Sequence, residues 1–63
     1  MEKRKDTFLF YIGNNRKYWW RRTSSNGNIV GSSTQGYASK AYCKENAVRN
    51  GYDSNKHITV YEW

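Results

Sequence analysis

The 63-residue chain has no proline, a single cysteine (Cys43) and a single histidine (His57). One thiol cannot form a disulfide within the chain, so none of the cross-links that brace many small domains is available. One cysteine and one histidine also fall short of the three or four ligands a zinc ion takes from protein. Without proline there is no proline-rich linker, and no internal repeat or low-complexity run is visible. The N-terminal MEKRKD is charged and no apolar h-region follows it, so no export signal is read. No stretch approaches the ~20 apolar residues of a membrane span. A lone thiol without an export signal points to a reducing, cytoplasmic setting.

Acidic residues are scarce as well: five Asp and Glu stand against eleven Lys and Arg, a formal net charge of +6. Such an excess attracts polyanions, whether nucleic acid, an anionic membrane or an acidic protein, and also serves solubility. Catalytic constellations are missing. Glu2, Asp6, Glu45, Asp53 and Glu62 are scattered without a pair, no phosphate-binding glycine loop is present, and Cys43 with His57 is the one conceivable nucleophile–base couple. Cys43 is expected inside a helix facing the sheet, where cysteine behaves as a small hydrophobe. The expectation is a non-enzymatic protein with neither cofactor nor metal.

Aromatic residues, in contrast, are plentiful at 17%. A domain this short buries a modest fraction of its surface. Self-association or a core of large aromatics must supply the deficit.

Residues 1–6 read as a flexible basic tail and residues 7–63 as a single domain. TFLFYIG (Thr7 to Gly13) is aromatic and β-branched, the composition of a strand. GNNRK (Gly13 to Lys17) is a polar turn and YWWRRTS (Tyr18 to Ser24) a second strand. Asn26-Gly27 is a strong hairpin signal, because a type I′ turn needs positive φ at both central residues. NIVGSS (Asn28 to Ser33) is the third strand, and TQG breaks the sheet. SKAYCKENAVRN (Ser39 to Asn50) reads as a helix, with Ser39 or a neighbour as N-cap, Tyr37 in a hydrophobic staple and Gly51 as the residue past the C-terminus. HITVYEW (His57 to Trp63) alternates and is β-branched, a final strand. The fold class is α+β: a β-β-β-α-β unit with an antiparallel sheet and one helix on one face.

A two-residue Asn26-Gly27 turn would oppose Thr23 to Val30 and Arg22 to Gly31, and opposed residues share a face. The helix-covered face is then expected to hold Phe8, Phe10, Ile12, Trp20, Ile29, Ile58 and Val60. The helix adds Cys43 and Ala47, with Val48 as a further candidate. The other face would hold Leu9, Tyr11, Trp19, Arg21, Val30, Tyr61 and Trp63, more aromatic surface than a solvated face needs. Either a second subunit covers it or it binds something. Stacking of single-stranded bases on Tyr11, Trp19, Tyr61 and Trp63, with Arg16, Lys17, Arg21 and the tail's Lys3, Arg4 and Lys5 holding phosphates, is one use. Contact with a protein partner, as a regulator or inhibitor, is the other. Lys40, Lys44 and Arg49 on the helix read as a solvated face.

The run NGNIVGSSTQGYASKA (Asn26 to Ala41) resembles the signature of the YegP-like family. Phe8, Tyr11, Tyr18, Trp20, Arg21, Asn26-Gly27, Ile29-Val30, Ser32-Ser33, Gly36-Tyr37 and Ser39-Lys40-Ala41 match that pattern without gaps. The resemblance implies a β-β-β-α-β unit that, present once per chain, forms a homodimer. The two units would share one continuous sheet and exchange their C-terminal strands, with Ile58, Val60 and Tyr61 in the interface. It carries no activity or catalytic residue. The chain departs from the pattern at Trp19, where a polar or basic residue is usual, and at Arg22, where an aliphatic one is expected. Its helix is also poor in large aliphatics, with Ala47 and Asn50 at contact positions.

Overall fold

The computed structural model describes residues 5–63; the tail positions Lys3 and Arg4 lie outside the described residues. The elements follow the expected order: β1 (Thr7–Ile12), β2 (Tyr18–Thr23), β3 (Ile29–Ser32), α1 (Lys40–Arg49) and β4 (Ile58–Glu62), with a short turn of 3-10 character at Asn14–Arg16 between β1 and β2. Strand order across the sheet is β3-β2-β1-β4. The sheet is antiparallel from β1 to β3, but β4 runs parallel to β1, so it is mixed rather than wholly antiparallel. The chain reverses twice between β1 and β3 and twice more through α1, so β4 must run in the direction of β1. A crossover helix is the usual means of placing parallel neighbours.

α1 begins and ends as its sequence demands. The Ser39 hydroxyl accepts a hydrogen bond from Tyr42 N–H at 3.1 Å, satisfying one of the free donors of the first turn. At the other end Tyr52 N–H donates to Ala47 C=O at 2.9 Å and Gly51 N–H to Val48 C=O at 3.0 Å, while Gly51 takes φ +98°. This is the Schellman arrangement, which carries a hydrophobic contact from the residue after the glycine. That residue is Tyr52. It turns back into the core, where its ring lies 4.9 Å from Phe8 and 5.3 Å from Phe10, and its hydroxyl meets Thr59 Oγ1 at 2.7 Å.

The core consists of Phe8, Phe10, Trp20, Cys43, Ala47 and Tyr52. Trp20 donates its indole N–H to Asn46 Oδ1 at 2.8 Å, so the largest core side chain keeps its one polar group satisfied. Arg22 sits on this face too, where an aliphatic residue was expected. Its Nε meets Asp6 Oδ2 at 2.8 Å and its guanidinium carbon lies 5.5 Å from the Phe8 ring centroid. Asp6, placed in the tail from the sequence, is therefore tied to the sheet; its carbonyl also accepts from Ile58 N–H at 2.9 Å.

Two registers differ from expectation. The β2–β3 connection is a three-residue loop: Ser24 N–H donates to Asn28 C=O at 2.8 Å, Gly27 N–H to Ser24 C=O at 2.9 Å, and within the loop only Gly27 has positive φ. A three-residue hairpin with glycine in the left-handed region is the common alternative to the type I′ turn. It displaces the register, so Arg22 opposes Gly31 as expected but Thr23 opposes Ile29, leaving Val30 as a bulge. Ile29 thus moves opposite Thr23 and is exposed instead of covered.

In β4, Thr59 opposes Phe8 and Tyr61 opposes Phe10, while Ile58 and Val60 oppose Thr7 and Leu9. The two faces of β4 are therefore reversed relative to expectation: Tyr61 and Trp63 lie on the helix side, and Ile58 and Val60 on the other. The cause is width. Four strands about 4.8 Å apart are wider than one helix about 10 Å across. The edge that α1 leaves uncovered is filled by long aromatics, with Tyr61 and Trp63 at 5.3 and 5.1 Å from Phe10 and His57 at 4.9 Å from Phe8. Ile12, at the far end of the hairpin, and Val48 and Asn50, on the outer side of α1, are exposed rather than part of the core.

Candidate functional site

The uncovered face of the sheet is a grid set by the registers. One row runs Glu62, Tyr11, Trp19; the next runs Val60, Leu9, Arg21, Ser32; the third runs Ile58, Thr7, Thr23, Ile29. Three of the expected binding residues therefore meet. Tyr11 and Trp19 are opposed neighbours, and the Arg21 guanidinium carbon lies 5.3 Å from the Tyr11 ring centroid. Lys17 precedes Trp19 by two residues, just before β2, and Arg16 closes the adjacent turn.

That turn has the features expected elsewhere. Asn15 (φ 61°) and Arg16 (φ 56°) both have positive φ, and Lys17 N–H reaches Asn14 C=O at 3.4 Å. Positive φ at two central residues is the requirement of a type I′ turn. Asparagine tolerates it, whereas for arginine it costs free energy. The charged end of the hairpin is thus held in an unfavourable local conformation.

Trp19 is half-buried, and the cause lies in two glycines. Beyond Ser33, which is hydrogen-bonded to Trp20, the chain loops out and pairs again through reciprocal 2.8 Å bonds between Tyr18 and Tyr37. Gly36 in that loop lies against Trp19 from one direction and Gly13 from another. A Cβ on Gly13 would fall 2.7 Å from Trp19 Nε1, and one on Gly36 would fall 2.9 Å from the same atom. The indole edge occupies a slot that any larger residue would fill, and its N–H is buried without a hydrogen-bond partner. The remaining ring surface, with Tyr11, Gly13 and Asn14, lines an open cleft of about 300 Å3. Gly13, Asn14 and Gly36 are not among the binding residues expected from the sequence, although Gly36 belongs to the family pattern; the bulk of Trp19 where a polar residue is usual was the available signal.

Tyr61 and Trp63 do not join this cleft, because the β4 register puts them on the helix side. There Lys44 Nζ lies 5.5 Å from the Tyr61 ring, and Lys40 Nζ lies 5.9 Å from Trp63 and 6.0 Å from Tyr18. These lysines are exposed, as expected of a solvated face, and are also cation–π partners of the aromatic edge. Arg49 pairs with Glu45 at 2.8 Å. Among the described residues the ion pairs are Arg22–Asp6 and Arg49–Glu45, which leaves Arg16, Lys17 and Arg21 without a carboxylate partner.

Cys43 is fully buried, and burial pushes its thiol up to about 11, far from a thiolate at neutral pH. His57 Nδ1 accepts from Asp53 N–H at 3.1 Å while its ring packs on Phe8. Among the described residues no three His, Cys, Asp or Glu side chains group as metal ligands, and no helix is long and apolar enough to cross a membrane.

The fold and this surface define a small α+β domain with one packed and one open sheet face. A family model described as "Domain of unknown function (DUF1508)" matches residues 14–50, more than half of the chain. The chain belongs to this family, that of the YegP-like small domains, whose role is uncharacterised. No significant match was found among curated proteins or among solved structures.

Proposed function

We propose that this domain is a non-enzymatic, homodimeric, cytoplasmic binding module that holds a polyanion, single-stranded nucleic acid, on its open sheet face. The observation that carries the reading is the juxtaposition of Tyr11, Trp19 and Arg21, with Arg16 and Lys17 at the hairpin end and no carboxylate pairing these cations among the described residues. Aromatic platforms beside unpaired cations suit single strands, whose bases are free to stack. Fluorescence anisotropy with a labelled oligonucleotide tests it. Affinity is expected to fall with salt, with a log–log slope of roughly −0.7 for each phosphate neutralised. Absence of binding to any DNA or RNA at low salt removes the proposal.

The homodimer rests on the small core and on Ile58 and Val60, which are 49% and 38% exposed on edge strand β4. Exchange of β4 between subunits is implied only by the resemblance to the YegP-like family, and it would replace the β1–β4 pairing within the chain. Light scattering at micromolar concentration is expected to give the mass of two chains; the mass of one chain rejects it.

A second reading, a protein-interaction module acting as a regulator or inhibitor of another macromolecule, is favoured by Ile29 and Val30 at the opposite edge, 61% and 55% exposed. Aliphatic side chains offer no stacking plane to a base but suit a protein surface. Affinity capture that survives nuclease treatment supports this reading.

A further inference from the structure

We infer that the cleft between Tyr11, Gly13, Asn14 and Trp19 takes a single unpaired nucleobase, and that the phosphate chain leaves it along β2, away from β4. This rests on the polyanion reading above and specifies its site. The cleft's volume of about 300 Å3 is at the small end of ligand pockets, enough for one planar ring system but not for a paired and stacked duplex. Two of its walls are aromatic rings, and unpaired bases are recognised by stacking on such rings. Trp19 cannot swing aside, because Gly13 and Gly36 grip its indole edge; the wall is preformed, which lowers the ordering cost of binding. Asn14 at the rim is exposed, and its amide supplies both donors and an acceptor to a base edge.

Charge sets the direction of the backbone. On the β2 side stand Arg21, Lys17 and, at the turn, Arg16. On the β4 side Glu62 is the neighbour directly opposite Tyr11 and is exposed. A phosphate passing Glu62 is repelled; one passing Arg21 meets a guanidinium able to hold it with two parallel hydrogen bonds.

The test compares two labelled ligands of equal length, oligothymidylate and the same phosphodiester chain made abasic, by anisotropy at low salt. The abasic chain is expected to bind ten- to a hundred-fold more weakly than oligothymidylate. Asn14→Ala and Tyr11→Leu should weaken oligothymidylate binding severalfold more than they weaken abasic binding. Glu62→Gln should strengthen binding of both ligands two- to fivefold. Equal binding of the two ligands by the native protein overturns the base site while the polyanion reading stands. Binding of neither ligand overturns the polyanion reading itself. No gain from Glu62→Gln overturns the assigned path. All three substituted side chains lie outside the core, and circular dichroism of each variant verifies that it folds.

Discussion

On the helix side of the sheet, Phe8, Phe10 and Trp20 are sealed under Cys43, Ala47 and Tyr52, and the Trp20 indole N–H and the Tyr52 hydroxyl both have hydrogen-bond partners. On the other side Tyr11, Leu9, Trp19 and Arg21 stand without a covering layer, one indole N–H is buried unsatisfied, and the adjoining turn holds an arginine at positive φ. The same strands supply both faces, so the difference lies in the side chains and not in the backbone. The first face satisfies each rule of a packed core, whereas the second violates several at once. Local violations that cluster on one surface are consistent with the binding role proposed for it.

The largest expected effect breaks the packed face. Phe10 touches Tyr52, Tyr61 and Trp63 and is completely buried. Phe10→Ala should cost about 3–5 kcal/mol, as large aromatic truncations do. That matches or exceeds what one small core supplies, so the variant should be unfolded at 25 °C by circular dichroism. A cooperative native-like melt in Phe10→Ala would mean that stability resides in the other face or in the proposed dimer contact.

Cys43 gives a second, pH-dependent probe of the same layer. Its thiol ionises at about 11 when folded and near 9 when exposed. A raised pKa means that the stabilisation of the neutral group is complete below pH 9 and is lost as pH rises toward 11. Two pH units correspond to about 2–3 kcal/mol. The native protein should therefore lose about that much more stability than Cys43→Ala between pH 8 and 11, measured by urea unfolding. Parallel pH profiles for the two would show that the thiol ionises without unfolding the core.

Much of this division was legible in the sequence, and what was not has identifiable causes. The separation of Trp19 from Trp20 follows from strand alternation alone, and the Ser39 cap and Gly51 stop mark the helix. Tyr52 was readable too, as the residue after a C′ glycine, but it sits in a polar stretch that looks like loop. The faces of β4 were not readable. Alternation in His57–Trp63 permits either phase, and the aliphatic set is the one a burial rule selects. A one-residue change of phase exchanges the faces completely, and here the width left uncovered by α1 selects the aromatic set. The Asn26-Gly27 turn misled for a related reason: the dipeptide signals a hairpin but not the number of residues in its loop.

The slot around Trp19 sharpens the comparison, because it is a close-packed feature on the open face. Gly36→Ala would bring a methyl group within 2.9 Å of the indole and 2.5 Å of Lys17 Cβ. Overpacking of this kind costs about 1–3 kcal/mol. Combined with Trp19→Ala, the penalty of Gly36→Ala should fall but not vanish, because the contact with Lys17 Cβ remains, and a double-mutant cycle should show a coupling smaller than the full penalty. Additive losses would mean that Trp19 is not what the glycine makes room for.

The smallest effect concerns the turn and has the opposite sign. Arg16 at φ 56° carries the ~1–2 kcal/mol penalty of a left-handed side-chain-bearing residue. Arg16→Gly removes that penalty but loosens the unfolded chain, which takes back ~0.5–1 kcal/mol. The variant should therefore be more stable by ~0.5–1 kcal/mol in chemical denaturation, with an unchanged denaturant slope. It also removes one cation from the hairpin end, so on the proposed reading its affinity for a single-stranded oligonucleotide should fall and its salt dependence should flatten by about 0.7 in log–log slope. Gain of stability together with loss of affinity is the signature of a residue kept for its charge against its conformational preference. A variant that gains stability and binds as before would leave Arg16 outside the interface and confine the phosphate contacts to Arg21 and Lys17. A variant that loses stability would show that the positive φ at this position is relieved by contacts of the arginine side chain itself.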